Sequence, residues 1–222
     1  MRHVCQEEPR LSGRFGDCVI TSHVKQGLTF IREALPKGEG LSKEVWRTRH
    51  RAFILLLWLH ALGLPFVAAL FGHTMTECLF AGAVIAFFAL LAGSGRGSRR
   101  VQATVVSLGL VSSSGMLVHL SGGYIEMHFH YFVIVTLLLL YQDWLPFLIC
   151  FAFVGLQHGI IGVLFPHSVY NHPDAFAHPW KWAGIHAMFI ATASIGCIVA
   201  WKNIEQCVEA LRHAHDELDR RV

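Results

Sequence analysis

Residues 52–71 of the chain read AFILLLWLHALGLPFVAALF. This stretch contains no Asp, Glu, Lys or Arg. An α-helix needs about 20 mostly apolar residues to cross the hydrocarbon core of a bilayer. The stretch therefore predicts a transmembrane helix.

Five further apolar stretches of similar length follow the first. They cover residues 76–93, 101–120, 125–141, 145–165 and 182–201. Only 15% of the whole chain is charged, whereas soluble domains carry about 25% charged residues. Because so many near-spanning stretches in series are rare in soluble folds, we predict an all-α polytopic membrane protein with six transmembrane helices.

The basic residues near the ends of these helices predict the orientation of the chain. Almost all of them fall on one side: Arg47, Arg49, Arg51, Arg96, Arg99, Arg100, Lys202 and Arg212. The opposite side has only Lys181. Since Lys and Arg accumulate in cytoplasmic loops, we expect both the N-terminus and the C-terminus in the cytoplasm of a multi-pass protein of the cell membrane, in contact with lipid.

Three parts of the chain are distinguished by composition. Residues 1–45 form a polar leader with one amphipathic stretch around residues 24–35, residues 46–202 form the membrane domain, and residues 203–222 form a polar segment. The last segment has apolar and companion positions in the 4-3 spacing of a coiled coil, at Ile204, Val208, Leu211, His215, Leu218 and Val222. We therefore expect helix six to continue into a cytoplasmic coiled coil that forms a homodimer. The alternative is a solvated amphipathic tail.

Histidines recur at one depth of the predicted bundle. With the orientation above, one outer half of the membrane receives His119 from helix three, Glu126, His128 and His130 from helix four, His158 from helix five and His186 from helix six. His60 of helix one lies nearer the middle. Ionisable groups inside a bilayer are costly and mark function by default. The pattern therefore predicts one site in the outer half.

Three interpretations of this site remain open. A transition-metal ion or a haem would use neutral imidazoles, with a carboxylate as a ligand or as a group that orients one. In that case the candidate cofactor-binding residues are His119, His128, His130, His158 and His186, and the candidate metal ligands are Glu126, His128, His130, His158 and His186. A proton-responsive network would use the same groups without a cofactor. Alternatively, each histidine only bonds a neighbouring helix.

The spacing around Met127 limits which of these side chains can meet. Glu126 and His130 are four positions apart and share a helical face. His128 and His130 are two apart, so they share a side only if the segment is extended, which the preceding Gly122 and Gly123 would permit. The histidines of the outer loop, at positions 167, 172 and 178, are expected to be solvated.

No catalytic motif occurs in the chain. It has no HExxH, no GxSxG, no phosphate-binding loop and no kinase catalytic motif, and its six cysteines form no CxxC pair. We expect no nucleic-acid partner. A metal-dependent integral membrane enzyme that uses the histidine cluster remains the alternative to a sensor.

Several of these segments together resemble a known type of membrane domain. They are HLSGGYIEMHFHYFV at 119–133, YQDW at 141–144, Gln157-His158 and PWKWAGIH at 179–186. Over roughly residues 42–205 the chain resembles the N-terminal membrane sensor region of bacterial signalling proteins, whose output domains are histidine kinases, diguanylate cyclases or chemoreceptors. The pairing of MHFH with YQDW is the most specific part of this resemblance.

The resemblance implies a function and a location. It implies a sensory input module, most often of histidine kinase type, in the bacterial inner membrane. A signal detected at the histidine site would pass through helix six to a cytoplasmic output domain or a downstream signalling protein. In such proteins a coiled-coil linker precedes the output. This agrees with the 4-3 spacing in residues 203–222, whose apolar and companion positions we call the seam.

Overall fold

The computed structural model describes residue 29, residues 32–38 and residues 41–221. Within these residues the chain is helical and has no β-strand. The long helices are α1 (Lys43–Leu70), α2 (Met75–Gly93), α3 (Arg99–Leu120), α4 (Ile125–Tyr141), α5 (Trp144–Leu164) and α7 (Pro179–Asp219), and the short helix α6 is Pro173–Ala177. Most of the amphipathic stretch predicted at residues 24–35 lies outside the described residues, as does Val222.

The predicted all-α membrane fold is confirmed. Five of these helices, α1, α2, α3, α5 and α7, are long and apolar enough to cross a membrane. The sixth apolar helix, α4, is shorter, and its last turn, Leu139–Tyr141, is a 3-10 helix. The continuation of the last helix beyond its apolar part is also confirmed, because α7 extends to Asp219.

Side-chain caps set where the helices begin. The hydroxyl of Ser42 accepts a hydrogen bond from the backbone N–H of Val45 in α1. That of Ser98 accepts one from the backbone N–H of Val101 in α3. Thr74 and Glu77 form a reciprocal capping box at the start of α2. Because such caps satisfy backbone N–H groups that have no partner within the helix, α1 can begin at Lys43, well before its apolar part.

One compact unit, residues 38–201, contains the helical bundle, and α3 lies at its centre. This helix packs against α1, α2, α4 and α5. Small residues allow the close approach: a Cβ added at Gly109 would lie 2.7 Å from Phe88 and 2.8 Å from Leu57. Such close contacts between backbones are the usual way in which helices pack in lipid.

The last helix is held by few contacts. Among its described residues only Ile190, Ser194, Cys197 and Trp201 are buried, and just 17% of its most apolar window is buried, against 50% for α3. The apolar surface that α7 leaves exposed therefore needs lipid or another chain to cover it.

A second compact unit consists of the residues up to Lys37 and those from Lys202 onwards. Here the backbone N–H of Lys37 donates to Glu205 at 2.7 Å, and the Lys202 ammonium donates to the carbonyl of Leu35 at 3.1 Å. Four predicted seam residues are exposed: Ile204, Val208, Leu211 and Leu218. The coiled coil itself and the three-part division of the chain stay predictions.

Candidate metal centre

Three helices bring three imidazole rings together within the bundle. His128 of α4, His158 of α5 and His186 of α7 have ring centroids 5.2 Å (128 to 158), 5.0 Å (128 to 186) and 4.8 Å (158 to 186) apart. One nitrogen from each ring lies within 4.8 Å of the other two. His128 and His158 are buried and His186 is half-buried. We call these three residues the histidine triad.

Each ring of the triad is oriented by the carbonyl one helical turn before it. The Nδ1–H donates to Tyr124 at 2.9 Å in His128, to Val154 at 3.0 Å in His158 and to Trp182 at 2.8 Å in His186. Because a carbonyl can only accept, the proton of a neutral ring must be on Nδ1. The lone pair is then on Nε2, and such a second bond through Nδ1 is the arrangement found in histidines that bind metals.

Two of the Nε2 atoms lack hydrogen-bond partners. Those of His128 and His158 are fully buried, and neither lies in hydrogen-bonding geometry with a described residue, although the backbone of Val169 lies close to the His128 ring. A buried polar atom without a partner costs about 1–3 kcal/mol. Two such atoms in one cluster therefore indicate a place where a ligand would supply the missing bond.

The helix that carries His158 is locally irregular. Residues Gln157–Ile161 form a π-helical turn within α5. Such turns are rare and occur often at functional sites, because the wider turn re-aims the side chains that follow it. His158 is the second residue of this turn, and its ring lies beside those of His128 and His186.

Tyr170 closes the triad on the side of the outer loop. Its Oη donates to the carbonyl of His158 at 3.2 Å and lies 3.4 Å from that of Pro179, so it joins α5 to the start of α7. Burial raises the pKa of Tyr170 to about 12, which keeps the hydroxyl protonated as a donor. Two glycines make room for it: a Cβ at Gly123 would lie 2.5 Å from its backbone, and one at Gly162 would lie 2.8 Å from its ring.

The outer loop also fixes the first turns of α7. Lys181 and Trp182 both donate to the Asp174 carboxylate, at 2.8 and 2.7 Å. These two hydrogen bonds, that of Lys181 first, hold the pKa of Asp174 below its usual value. His172, expected to be solvated, is half-buried instead: it caps α6 and its ring meets the Trp182 indole edge-on. Trp182 is also the residue whose carbonyl orients His186.

The structure places His130 in a different contact. Its Nε2 lies 2.9 Å from Nε2 of His60, and its Nδ1 lies 2.8 Å from the hydroxyl of Ser114. The reason is that α4 is helical at this point, so side chains two positions apart diverge by about 200°. His128 and His130 therefore face different neighbours. The pairing of His130 with His60 was not predicted, because the position of His60 along helix one placed it nearer the middle of the membrane.

His119 and Glu126 lie apart from the triad. Both are exposed, His119 at the end of α3 and Glu126 in the first turn of α4. His119 lines a separate cavity of about 270 Å³ with Met116, His73 and Glu77. Of the predicted site residues, the structure thus brings together His128, His158 and His186.

Two tyrosines complete the surroundings of the triad. They are Tyr131, whose ring is 5.4 Å from that of His158, and Tyr170. Neither was predicted, because Tyr131 lies among other apolar residues and Tyr170 lies in a loop, and nothing in the sequence distinguishes either of them.

The triad could hold a metal ion. Metal–imidazole bonds of about 2.0–2.1 Å place the nitrogens of a tetrahedral site about 3.4 Å apart. The triad nitrogens lie within 4.8 Å of one another, so binding would draw the rings together by up to about 1.4 Å. Three neutral imidazoles suit Zn, Cu, Fe or Ni and leave a fourth position open.

The fold and this site together define a polytopic all-α membrane protein with three converging histidines in its bundle. Sequence comparison finds similarity to the transducer protein Htr8 of Halobacterium salinarum (strain ATCC 29341 / DSM 671 / R1), 32% identical over an alignment of 217 residues that covers 91% of this chain. The chain spans about a third (33%) of the length of that relative. No protein-family model and no solved structure matches the chain.

Proposed function

We propose that this chain is the membrane-integral input module of a signal-transduction protein, and that its stimulus acts through a transition-metal ion held by His128, His158 and His186. The observation that carries the proposal is the pair of buried Nε2 atoms, in His128 and His158, that have no partner among the described residues. Each ring is already fixed by its Nδ1 bond, so the site is prepared to accept an ion without rotating a side chain.

The similarity to a transducer protein supports a role in signalling, because it extends over nearly the whole chain. That relative is described as a transducer, so it supports a signalling output in general. A histidine kinase output remains an expectation from the sequence resemblance alone. We propose that α7 leads from the inner membrane towards a cytoplasmic output domain or a downstream signalling protein.

A small displacement of α7 is the proposed response. Metal binding would pull the three rings together by up to about 1.4 Å, and His186 is the ligand on the helix with the fewest buried residues. A ligand shifts an equilibrium between two states only by the difference in its affinity for them. Here the two states are the triad with its rings as they stand and the triad with its rings drawn together, and the second has the better geometry for binding the ion. Because α7 is continuous to Asp219, the shift would reach the seam residues of a homodimer.

An ion fits the triad better than a haem. The ring centroids are only 4.8 to 5.2 Å apart, so a porphyrin would have to separate rings that are already in contact. The cavity next to His158, lined by Gly155 and Ala187 among others, is about 30 Å³, which is room for about one water. This cavity is too small for a substrate, which favours a sensor over an enzyme.

Cross-linking of the seam with and without metal tests the proposal. Cys5, Cys18 and the exposed Cys207 are first replaced by Ser, and Leu211→Cys is introduced on the seam. The chain in membranes is loaded with Zn²⁺ or stripped with a chelator, and its dimer yield is measured with a bis-maleimide. We expect the yield to change on loading, and His158→Ala to abolish that change. His178→Ala, in the exposed part of the outer loop, is the matched control and should respond as the parent does. A chain that binds Zn²⁺ without any change in cross-linking would overturn the sensor mechanism, as would an unaltered response in His158→Ala.

A further inference from the structure

A larger cavity than those at His119 and His158 lies where α1 begins, α2 ends and α3 begins. It has a volume of about 380 Å³, within the range of about 300–1,000 Å³ typical of small-molecule sites. Its lining includes four basic side chains, those of Lys43, Arg47, Arg51 and Arg99, and no acidic one. By the distribution of Lys and Arg this is the cytoplasmic end of the bundle.

The basic residues of this cavity lack acidic partners. Within the described part of the chain, no Asp or Glu forms a salt bridge with Lys43, Arg47 or Arg51. Two neighbouring arginines are used differently: Arg49 donates to the carbonyl of Leu140, and Arg100 pairs with Asp143 at 3.0 Å. The cavity therefore concentrates positive charge that no acidic side chain among the described residues neutralises.

The floor of the cavity is firmly held. His50 is buried there, with Nδ1 2.8 Å from Tyr141 Oη and Nε2 3.3 Å from the carbonyl of Ala92. Trp46 stacks on the His50 ring with centroids 4.5 Å apart, and Arg99 lies 5.8 Å over the Trp46 ring. These contacts link α1 to the ends of α2 and α4 and to the start of α3. The site thus exists without a conformational change.

The cavity is amphipathic rather than uniformly polar. Ile54 forms part of its wall, and the adjacent surface of α1 is apolar and exposed at Leu55 (61%) and Leu59 (58%). A charged group at the four cations would therefore have an apolar surface beside it. A free phosphate uses only the first of these features, whereas a phospholipid uses both.

We propose that this cavity binds the phosphodiester headgroup of an anionic phospholipid, with the acyl chains along the exposed face of α1. Arg and Lys are the side chains that bind phosphate oxygens most strongly, and basic pockets between transmembrane helices at the cytoplasmic face suit such headgroups. The bound lipid fastens α1 to α2 and α3 at the end of the bundle away from the triad. This inference is independent of the metal site.

Native mass spectrometry of the purified chain in a neutral detergent tests the proposal. The probes are phosphatidylglycerol, phosphatidylcholine and inorganic phosphate, each titrated separately. We expect one tight equivalent of phosphatidylglycerol, weaker binding of phosphatidylcholine and no competition by inorganic phosphate. Replacing Arg47 and Arg51 together by Gln should weaken phosphatidylglycerol binding about 25-fold, since each charge near the headgroups contributes about fivefold.

Arg96→Gln is the matched control, because Arg96 is an exposed arginine of the neighbouring loop and does not line the cavity. Its binding should equal that of the parent. If the double variant does not fold, Lys43→Gln at the exposed start of α1 should still weaken binding about fivefold. Equal losses in Arg96→Gln and in the cavity variants would overturn the assigned site. Inorganic phosphate that displaces phosphatidylglycerol at equal concentration would overturn the lipid as the ligand.

Discussion

The imidazole rings of His158 and His186 lie with their centroids 4.8 Å apart and an interplanar angle of 34°. The two residues belong to different helices, and only the helix of His186 continues to Asp219. A change in the distance between these rings is therefore also a change in the position of α7 relative to α5. In the proposed function, the displacement of α7 begins at these two rings.

The glycines before α4 test how tightly Tyr170 is held. Both Gly122 and Gly123 have positive φ, 68° and 81°, but only at Gly123 would a Cβ approach Tyr170, at 2.5 Å. We expect Gly122→Ala to lower the free energy of unfolding by about 1 kcal/mol through backbone strain. Gly123→Ala should lower it by about 2 kcal/mol more, because Tyr170 must also move. Thermal unfolding in detergent measures both. Equal losses would show that Tyr170 is not packed as described.

Cysteine accessibility tests the orientation of the chain. Arg96 and Asn171 are exposed residues of the loops after α2 and before α6. After replacement of Cys5, Cys18 and Cys207 by Ser, a membrane-impermeant maleimide should label Asn171→Cys in intact cells. It should label Arg96→Cys only after the membrane is opened. The opposite pattern would invert the topology and place the triad in the inner half.

Scanning cross-linking tests the predicted coiled coil. The seam residues Ile204, Val208, Leu211 and Leu218 are 42%, 41%, 71% and 64% exposed in the single chain. In a parallel dimer they face the same positions of the second copy. Cysteines introduced one at a time at these four positions, again in a chain without Cys5, Cys18 and Cys207, should cross-link several-fold faster than cysteines at Glu209 and Arg212. A flat profile would leave a solvated helix in place of the seam.

Variants of Glu126 and His130 distinguish a site made of the triad alone from the larger site that the sequence predicts. If Glu126 oriented a ligand, Glu126→Gln would weaken metal binding about 10–100-fold. Because Glu126 is exposed and His130 pairs with His60, we instead expect Glu126→Gln and His130→Ala to leave the metal affinity nearly unchanged. Calorimetric titration with Zn²⁺ measures this. A tenfold or larger loss of Zn²⁺ affinity in Glu126→Gln would show that the carboxylate is part of the metal site.

The sequence predicted the helices well because their signal is length and hydropathy. The stretches at 76–93 and 101–120 correspond to α2 and α3 with differences of one or two residues at their starts. Depth in the membrane follows from position along a helix, so His128, His158 and His186 could be assigned a common depth in advance. What depth does not determine is the direction in which each helix faces.

That direction distinguishes His128 from His130. The two residues have nearly the same depth, yet the helical twist turns them towards different neighbours. His158 lies within the π-helical turn Gln157–Ile161, where the regular helical period that a sequence argument uses does not hold. Such a turn results from packing between helices, and a single sequence gives no period or motif that marks it. Tyr170 is likewise placed by loop packing against Gly123 and Gly162.

Metal analysis and X-ray absorption of the purified chain test the central claim most directly. After loading with Zn²⁺ and removal of excess metal, the account predicts one ion per chain, coordinated by three imidazole nitrogens at about 2.0–2.1 Å. Replacing His128, His158 or His186 by Ala should each lower the affinity by more than about 100-fold, beyond the loss expected for groups that only orient a ligand. His178→Ala should bind as the parent does. A chain that retains no ion, or an ion whose binding is the same in His158→Ala as in the parent, would contradict the account.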